Sequence, residues 1–359
     1  MSFYIISEPY CQSSNWHRNI ISGLMKEKRR KRFQLIMLNT IDECKHLNIT
    51  KQDAIFVMGT DNTWLANILE VCETLFQNRV ILFRNHKKLL SSGKYSIIAP
   101  DIAQDIQILY DYLTSHGKNR IAMYGINPNS VSDELRKDTF LLCGANTTDL
   151  FYNRGSLSSC FEEFSTKVYE YDAVICTDNY ASISLVQSFK NDSRLFITSC
   201  GGGTLLKNFF SPTITHTWID YQSFGKVALN LYDILLKSES IHSINIYISN
   251  NLSIGDTTNN LPPITKLGEK SNFIYNNENN YYSDGDVQEM LRVETLLDSC
   301  DEEDFLMLDD LLSNATYAQM ADKLYMSDNG VKYRVKKMLD ICQVSSKKEL
   351  IHLLEKYKR

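Results

Sequence analysis

The first 250 residues alternate between two textures, and this alternation constrains the fold more than any other feature of the chain. Apolar runs of strand length recur as "FYIIS" (3–7), "FQLIML" (33–38), "AIFVMG" (54–59), "RVILF" (79–83), "RIAMYG" (120–125), "DAVICT" (172–177) and "LFITS" (195–199). Between them, segments 19–31, 64–77, 103–116 and 225–237 space their apolar residues three and four apart, as a helix with one buried face does. Strands apolar on both sides and separated by helices predict parallel sheets covered on both faces. The expected class is α/β and doubly wound, in one large sheet or two smaller ones.

In doubly wound folds ligands bind beyond the carboxyl ends of the strands. The segments there are "SEPYCQSSNW" (7–16), "GTDN" (59–62), "GINPNSVSDELR" (125–136), "TDNY" (177–180) and "SCGGGT" (199–204), all read as loops rich in hydrogen-bonding groups. They supply Ser14, Asn15, Trp16, Asp61, Thr177, Asp178 and Gly202 as candidate ligand contacts. Trp16 and the nearby Trp218 offer rings that can stack on a sugar or an aromatic group, or pack in the core. The glycines of "SCGGGT" lack the Gly-Lys-Ser/Thr of a phosphate loop and read as a tight, open turn.

A chain of 359 residues is long enough for two or three compact units. No run of 18 apolar residues occurs, and "MSFYIISEPY" has neither a basic leader nor a long apolar stretch, so no membrane association and a cytoplasmic location are expected. The nine cysteines, at 11, 44, 72, 143, 160, 176, 200, 300 and 342, form no C-x-x-C and no pair with histidines, which predicts reduced, mostly buried thiols rather than a metal site. Histidines stand apart from serine or cysteine motifs of catalytic type, and no cofactor fingerprint is present. Neither an enzyme nor a cofactor is expected.

The formal net charge of −5 conceals a sharp asymmetry. Residues 284–310 hold eleven acidic residues and one basic, whereas 326–359 hold nine basic and four acidic. A basic terminal segment on an acidic body suits a phosphate-bearing partner. The texture also changes from 261 to 286, where "NFIYNNENNYYSDGD" has few aliphatics and no period and reads as a linker. Beyond it everything looks helical. Val287, Met290, Leu291, Glu294 and Leu297 outline one helix and 303–312 a second; Tyr317, Met320, Ala321 and Leu324 outline a third, capped by Thr316. After a turn at 325–327, Ser327 or Asp328 caps a fourth. Its Val331, Val335, Met338, Leu339 and Cys342 share one face, opposite Asn329, Tyr333, Lys336, Lys337 and Asp340, with Lys332 at the edge. Such a pair of helices suits a helix-turn-helix, whose second helix enters the major groove. Ser346 and Glu349 stand at capping-box spacing before a last helix.

From Asp301 onward about 55 residues resemble the four-helix DNA-binding domain of LuxR/NarL type. The resemblance rests on Thr316, Met320 and Ala321 in the scanning helix, Leu324 to Ser327 in the turn, Val331, Lys332, Val335 and Lys336 in the recognition helix, and the closing Val344, Ser346, Glu349 and Leu350. Gly330 stands where the family has threonine. The resemblance implies that Lys332, Tyr333 and Lys336 face bases or phosphates, and Thr316, Ser327, Asn329 and Lys337 complete the expected DNA-contacting set.

Residues 1–257 resemble the sugar-sensing core of LacI-type regulators, a periplasmic-binding-protein fold of type I. The passages are the strand, loop and long helix from "FYIISEPY", "IIAPDIAQDIQILYDYLTSHGKNRIAMYG", "DELRKDTF", "YDAVICTDNYA" and "SPTITHTWIDYQSFGKVALNLYDILL". This implies two subdomains joined by crossovers near 98–101, 218–221 and 240–243, hinged about a ligand cleft. The N-subdomain would comprise about 1–98 and 220–241, the C-subdomain about 99–219 and 242–275, with a linker at 276–286 and an all-α DNA-binding domain at 287–359. Arg136 takes the place of the family's sugar-gripping arginine, and Asp178 that of the Asp in its Asn-Asp pair. Thr177 replaces the Asn, a glycine at 201 or 202 replaces an expected aspartate, and Gly255 stands at the place of a terminal arginine. The expected protein is a ligand-responsive regulator that binds double-stranded DNA and a small effector, dimeric because one short recognition helix reads few base pairs. A binding protein whose C-terminal helices serve protein contacts is the alternative.

Overall fold

The computed structural model describes residues 1–84, 94–189, 195–201, 209–238, 240–258 and 284–358. The chain divides into two compact units: residues 1–105 with 218–251, and residues 106–217 with 252–359.

The first unit is built on a six-stranded sheet of order β11-β5-β4-β3-β1-β2. Its strands are β1 (Ser2–Ser7), β2 (Gln34–Leu38), β3 (Ala54–Met58), β4 (Val80–Phe83), β5 (Tyr95–Pro100) and β11 (Asn245–Ile248), parallel in every pair. Because side chains alternate along a strand, β1 sends Phe3 and Ile5 to one face and Tyr4 and Ile6 to the other. The first pair joins Phe56 and Phe83 under α1 (Asn15–Lys31) and α7 (Ser223–Lys237). The second joins Val57 and Leu82 under α2 (Asn62–Phe76). Burial of each such side chain contributes about 1.5–3 kcal/mol. Helices α1 and α7 approach so closely that a Cβ on Gly23 would lie 2.1 Å from the Gln222 carbonyl oxygen, and one on Gly225 2.5 Å from the Leu24 nitrogen. Neither position accepts a side chain.

The second unit has a sheet of order β12-β10-β9-β8-β6-β7. Its strands are β6 (Ile121–Ile126), β7 (Leu150–Tyr152), β8 (Ala173–Cys176), β9 (Phe196–Ser199), β10 (Thr215–Trp218) and β12 (Asn251–Ser253). On one face Ile121, Met123 and Ile175 pack with Ile106, Leu109 and Leu113 of α3 (Ile102–Ser115) and Phe140 of α4 (Val131–Leu142). On the other face Tyr124, Val174 and Cys176 pack with α5 (Leu157–Ser165) and α6 (Asn179–Ser188), and the cluster continues without a break. It takes in Val287, Met290, Val293, Leu296 and on to Leu354 and Tyr357.

The C-terminal helices therefore form a third layer over α5 and α6. They are α8 (Gly285–Ser299), α9 (Glu302–Leu312), α10 (Tyr317–Leu324), α11 (Asp328–Cys342) and α12 (Lys347–Glu355). Asp284 is buried at the seam: one carboxylate oxygen accepts the Asp286 N–H and caps α8 (2.9 Å), while the other accepts the Leu157 N–H at the first turn of α5 (2.7 Å). Ser158 donates to Asp286 (3.1 Å), the Ser211 N–H to the Tyr357 carbonyl (3.1 Å), and Gln187 Nε2 to the Lys356 carbonyl (2.9 Å).

Four expectations change. Segment 125–136, read as a loop, turns helical at Val131, because Ser130 accepts the Asp133 N–H and starts α4. The linker expected at 276–286 falls mostly outside the described residues, and its end, 284–286, is the capped start of α8. The third passage between the sheets comes after β11, at 251–252 rather than 240–243, since β11 pairs with β5. At the last helix Ser346 does cap α12, but Glu349 turns to the Ser345 N–H and Oγ (2.8 and 2.9 Å) instead of closing a capping box.

Candidate functional site

In the second unit, polar side chains gather beyond the carboxyl ends of β6, β8 and β9. Asp133, in the first turn of α4, accepts the Asn127 N–H (3.0 Å) and Nη1 of Arg136 one turn later (3.1 Å). Both side chains are mostly buried, at 8% and 13% exposure. Burial, opposed by Arg136 and reinforced by the charge of Asp178, pushes the Asp133 carboxyl up to about 6. The Arg136 guanidinium lies beside the turn after β9, where Gly201 has φ +72° and donates its N–H to Thr217 Oγ1 (3.1 Å). A Cβ built on Gly201 would sit 3.8 Å from Arg136 Nη2.

Asp178 caps α6 by accepting the Ala181 N–H (2.9 Å). Thr177 is fully buried and donates to the Gly125 carbonyl (2.9 Å), so it braces β8 against β6. The next residue, Asn179, is buried and accepts from Ser199 Oγ (3.2 Å). Sequence reasoning passed over Asn179 and Asp133; the pairing of an acid with an arginine three residues on was the available signal for the latter. Gly255 has a local cause for its departure from the arginine pattern: a Cβ there would meet the Thr213 carbonyl oxygen at 2.6 Å.

In the first unit, Ser14 caps α1 by accepting the His17 N–H (3.4 Å) and donates to the Cys11 carbonyl (2.6 Å). Asn15 accepts from Arg18 Nη2 (2.7 Å), and Trp16 packs half-buried at the edge of the apolar cluster under α1. Asp61 caps α2 through the Trp64 N–H (2.6 Å). The two loops are tied together by Glu8, whose Oε2 accepts the N–H groups of Thr60 (2.7 Å) and Asp61 (3.2 Å) and the Cys11 thiol (3.3 Å). At the end of β4 the wholly buried Arg84 donates to Asn62 Oδ1 (2.9 Å), and burial lowers its pKa. Glu8 and Arg84 were not singled out from sequence, although each follows an apolar strand directly. Trp218 ends β10 at 38% exposure, and Gly202 lies outside the described residues.

The C-terminal helices present a second candidate surface. Thr316 and Ser327 cap α10 and α11, accepting the N–H groups of Gln319 (3.3 Å) and Gly330 (3.1 Å). Tyr325 closes α10 in the left-handed region (φ 54°) and turns the chain between them. Val331, Val335, Met338 and Cys342 are buried. Asn329, Lys332, Tyr333, Lys336 and Lys337 are exposed along the opposite face. Arg334, between the two faces, is held by Asp301, Glu303 and Asp304 at 2.8, 2.7 and 2.8 Å, which raises its pKa and anchors α11 to the first turn of α9. Among the described residues Lys332, Lys336 and Lys337 make no ion pair, so their charge faces solvent.

All nine cysteines are free, and burial pushes Cys11 and Cys160 up to about 12 and Cys44 and Cys342 up to about 11, far from thiolate reactivity. Among the described residues no His/Cys/Asp/Glu group could hold a metal ion, and no helix is long and apolar enough to cross a membrane.

No protein-family model and no curated relative matches the chain. Solved structures do, and those that match are LacI-family transcriptional regulators. One from Rhizobium etli, described as a putative member, is 16% identical with a TM-score of 0.57, over 71% of this chain and 98% of its own. One from Weissella paramesenteroides with bound sucrose is 19% identical with a TM-score of 0.52, over 73% and 99%. A Lac repressor dimer bound to operator and an anti-inducer is 11% identical with a TM-score of 0.53, over 72% and 81%. The likeness is one of fold, it lies in the N-terminal part of the chain, and the C-terminal helices stand outside it.

Proposed function

We propose that this chain is a ligand-responsive transcription regulator that senses a small polar molecule, a sugar or sugar derivative, and binds double-stranded DNA through α11. The reading is carried by one observation: α11 buries Val331, Val335, Met338 and Cys342 and turns Lys332, Tyr333, Lys336 and Lys337 outward behind a capped turn. That arrangement supports a recognition helix, in which outward cations and an aromatic ring meet phosphates and base edges. The Asp133, Arg136 and Asp178 cluster supplies the paired charges and fixed hydrogen-bonding groups that hold vicinal hydroxyls, Arg136 through its planar fork. Sugar complexes among the LacI-family structures support the same ligand class.

Helix α6 gives the two sites a common part. Its N-cap, Asp178, belongs to the polar cluster, and Gln187 in its last turn donates to the Lys356 carbonyl beyond α12. A ligand that favours one placement of α6 thereby biases the placement of the C-terminal helices, by as much as its affinity differs between the two states. Two copies acting as a dimer would read symmetric half-sites.

The test is duplex binding by the full chain, measured by fluorescence anisotropy across a salt series. Lys332→Ala and Lys336→Ala are each expected to weaken binding and to lower the slope of log K against log salt by about 1 per lost phosphate contact. Unchanged slopes in both variants would remove α11 from the interface. Absence of duplex binding by the unaltered chain at low salt would favour the rival reading, a protein-interaction module, which the acidic α8 and α9 also suit. For the sensor, a sugar, sugar acid or nucleoside that raises the melting temperature should lose that shift in Arg136→Ala.

A further inference from the structure

The C-terminal helices form an open pocket of about 390 Å³ that neither the sensor cluster nor the α11 face uses. Its walls come from α8, from the end of α11 with the turn after it, and from the first two turns of α12. Val344 and Leu353 give it an apolar side, while Arg292, Lys348 and His352 line the remainder.

The charges in this pocket are not balanced. Its two carboxylates are already engaged: Glu289 takes Lys356 Nζ on both oxygens (3.0 and 2.9 Å) and the Tyr357 hydroxyl (2.8 Å). Glu349 accepts from the N–H and Oγ of Ser345, which hold its carboxyl below the usual range. Arg292 and Lys348 make no ion pair among the described residues, unlike Lys323, Arg334, Lys356 and Lys358 of the same helices. Two cations that line one pocket without carboxylate partners repel one another, and a bound anion relieves that repulsion. The amino end of α12 adds its positive dipole to the same side.

We propose that this pocket binds a small organic anion, a carboxylate or phosphate monoester carrying a compact apolar group. The anionic end lies against Arg292 and Lys348 and the apolar group against Val344 and Leu353. Such a ligand touches α8, the turn after α11 and α12 at once. The site is chemically opposite to the Asp133 and Asp178 cluster, so it does not depend on the sugar reading.

Isothermal titration of the full chain with benzoate, phenyl phosphate, inorganic phosphate and benzyl alcohol tests this. Saturable binding of benzoate or phenyl phosphate is expected, at least ten-fold tighter than that of inorganic phosphate or benzyl alcohol. Arg292→Gln should weaken it ten-fold or more, and Lys348→Gln, on an exposed side chain that folding does not require, three-fold or more. Arg136→Ala should leave it unchanged. The proposal is overturned if neither organic anion saturates, if inorganic phosphate binds as tightly, or if Lys348→Gln binds like the unaltered chain. Loss in Arg136→Ala with retention in Arg292→Gln would move the anion to the sensor cluster and equally overturn it.

Discussion

The two units share a sheet plan and differ in what covers it. In the first, β1 to β5 and β11 are sandwiched by α1 and α7 on one side and α2 on the other, and each side is a closed apolar cluster. In the second, one side ends at α3 and α4, while the other runs through α5 and α6 into five further helices without an intervening polar layer. The helices of the first unit are amphipathic because only one face is buried. Helix α6 is less one-sided: Asn179, Ala181, Ser182, Ile183, Leu185 and Val186 are buried over more than half of its circumference. The difference teaches that the C-terminal helices are an extension of the second sheet's core rather than a head on a tether.

Three variants put that contrast to the test. Leu296→Ala removes a fully buried side chain from α8 and should cost about 2–5 kcal/mol. Peptide-resolved hydrogen exchange should quicken in β6, β8, α5 and α6 as well as in α8 to α12, and stay unchanged in β1 to β4. A response confined to α8 to α12 would make them a separate folding unit.

A smaller effect is expected from Asp133, in the second unit alone. Its carboxyl titrates at about 6 when folded, above the ordinary value of 3.8, so the native state binds the proton more tightly than the unfolded chain does. Its contribution is therefore most favourable below pH 4 and is lost as pH rises through 6, by on the order of 3 kcal/mol. Asp133→Asn should remove that slope from denaturation midpoints between pH 4 and 7; an unaltered slope would place the titration elsewhere.

The smallest change concerns Gly330, early in α11. A Cβ there meets only Ser327 Oγ, at 3.4 Å, so alanine fits and should stabilise the helix by about 0.5–1 kcal/mol. Melting temperature reads this directly. Destabilisation instead would mean that the cap from Ser327 needs the smaller residue.

Seven strands were legible as apolar runs; six are buried on both faces, as at Ile55 to Met58, while β2 at the sheet edge is apolar but only partly buried. Strand β10 was not, since "THTW" is polar: Thr215 and Thr217 are buried only because hydroxyls such as Thr215 Oγ1 find partners in the Gly255 carbonyl and Thr258. Edge strand β11 alternates exposed and half-buried residues, and α4 hides behind Asn127, Pro128 and Asn129. In the C-terminal helices the caps at Thr316 and Ser327 and the phase of Val331, Val335 and Met338 could be read directly, because local hydrogen bonds and period fix them. What lay beyond reading was the seam. Burial of α6 over more than half of its circumference depends on residues more than a hundred positions later, and its own sequence only hints at this through apolar residues with no single face.

Asp284 gives that seam a practical meaning. A single carboxylate serves the amino ends of two helices, one opening the C-terminal layer and one lying 127 residues earlier in the sheet layer. Severing the chain just before this residue would leave α5 short of an acceptor, severing it just after would strip α8 of its cap, and either cut would open a wide apolar face of α5 and α6 to water. The natural place to cut this molecule in two is not where its sequence changes texture, and the second sheet with its helices is the smallest part that keeps every helix end supplied.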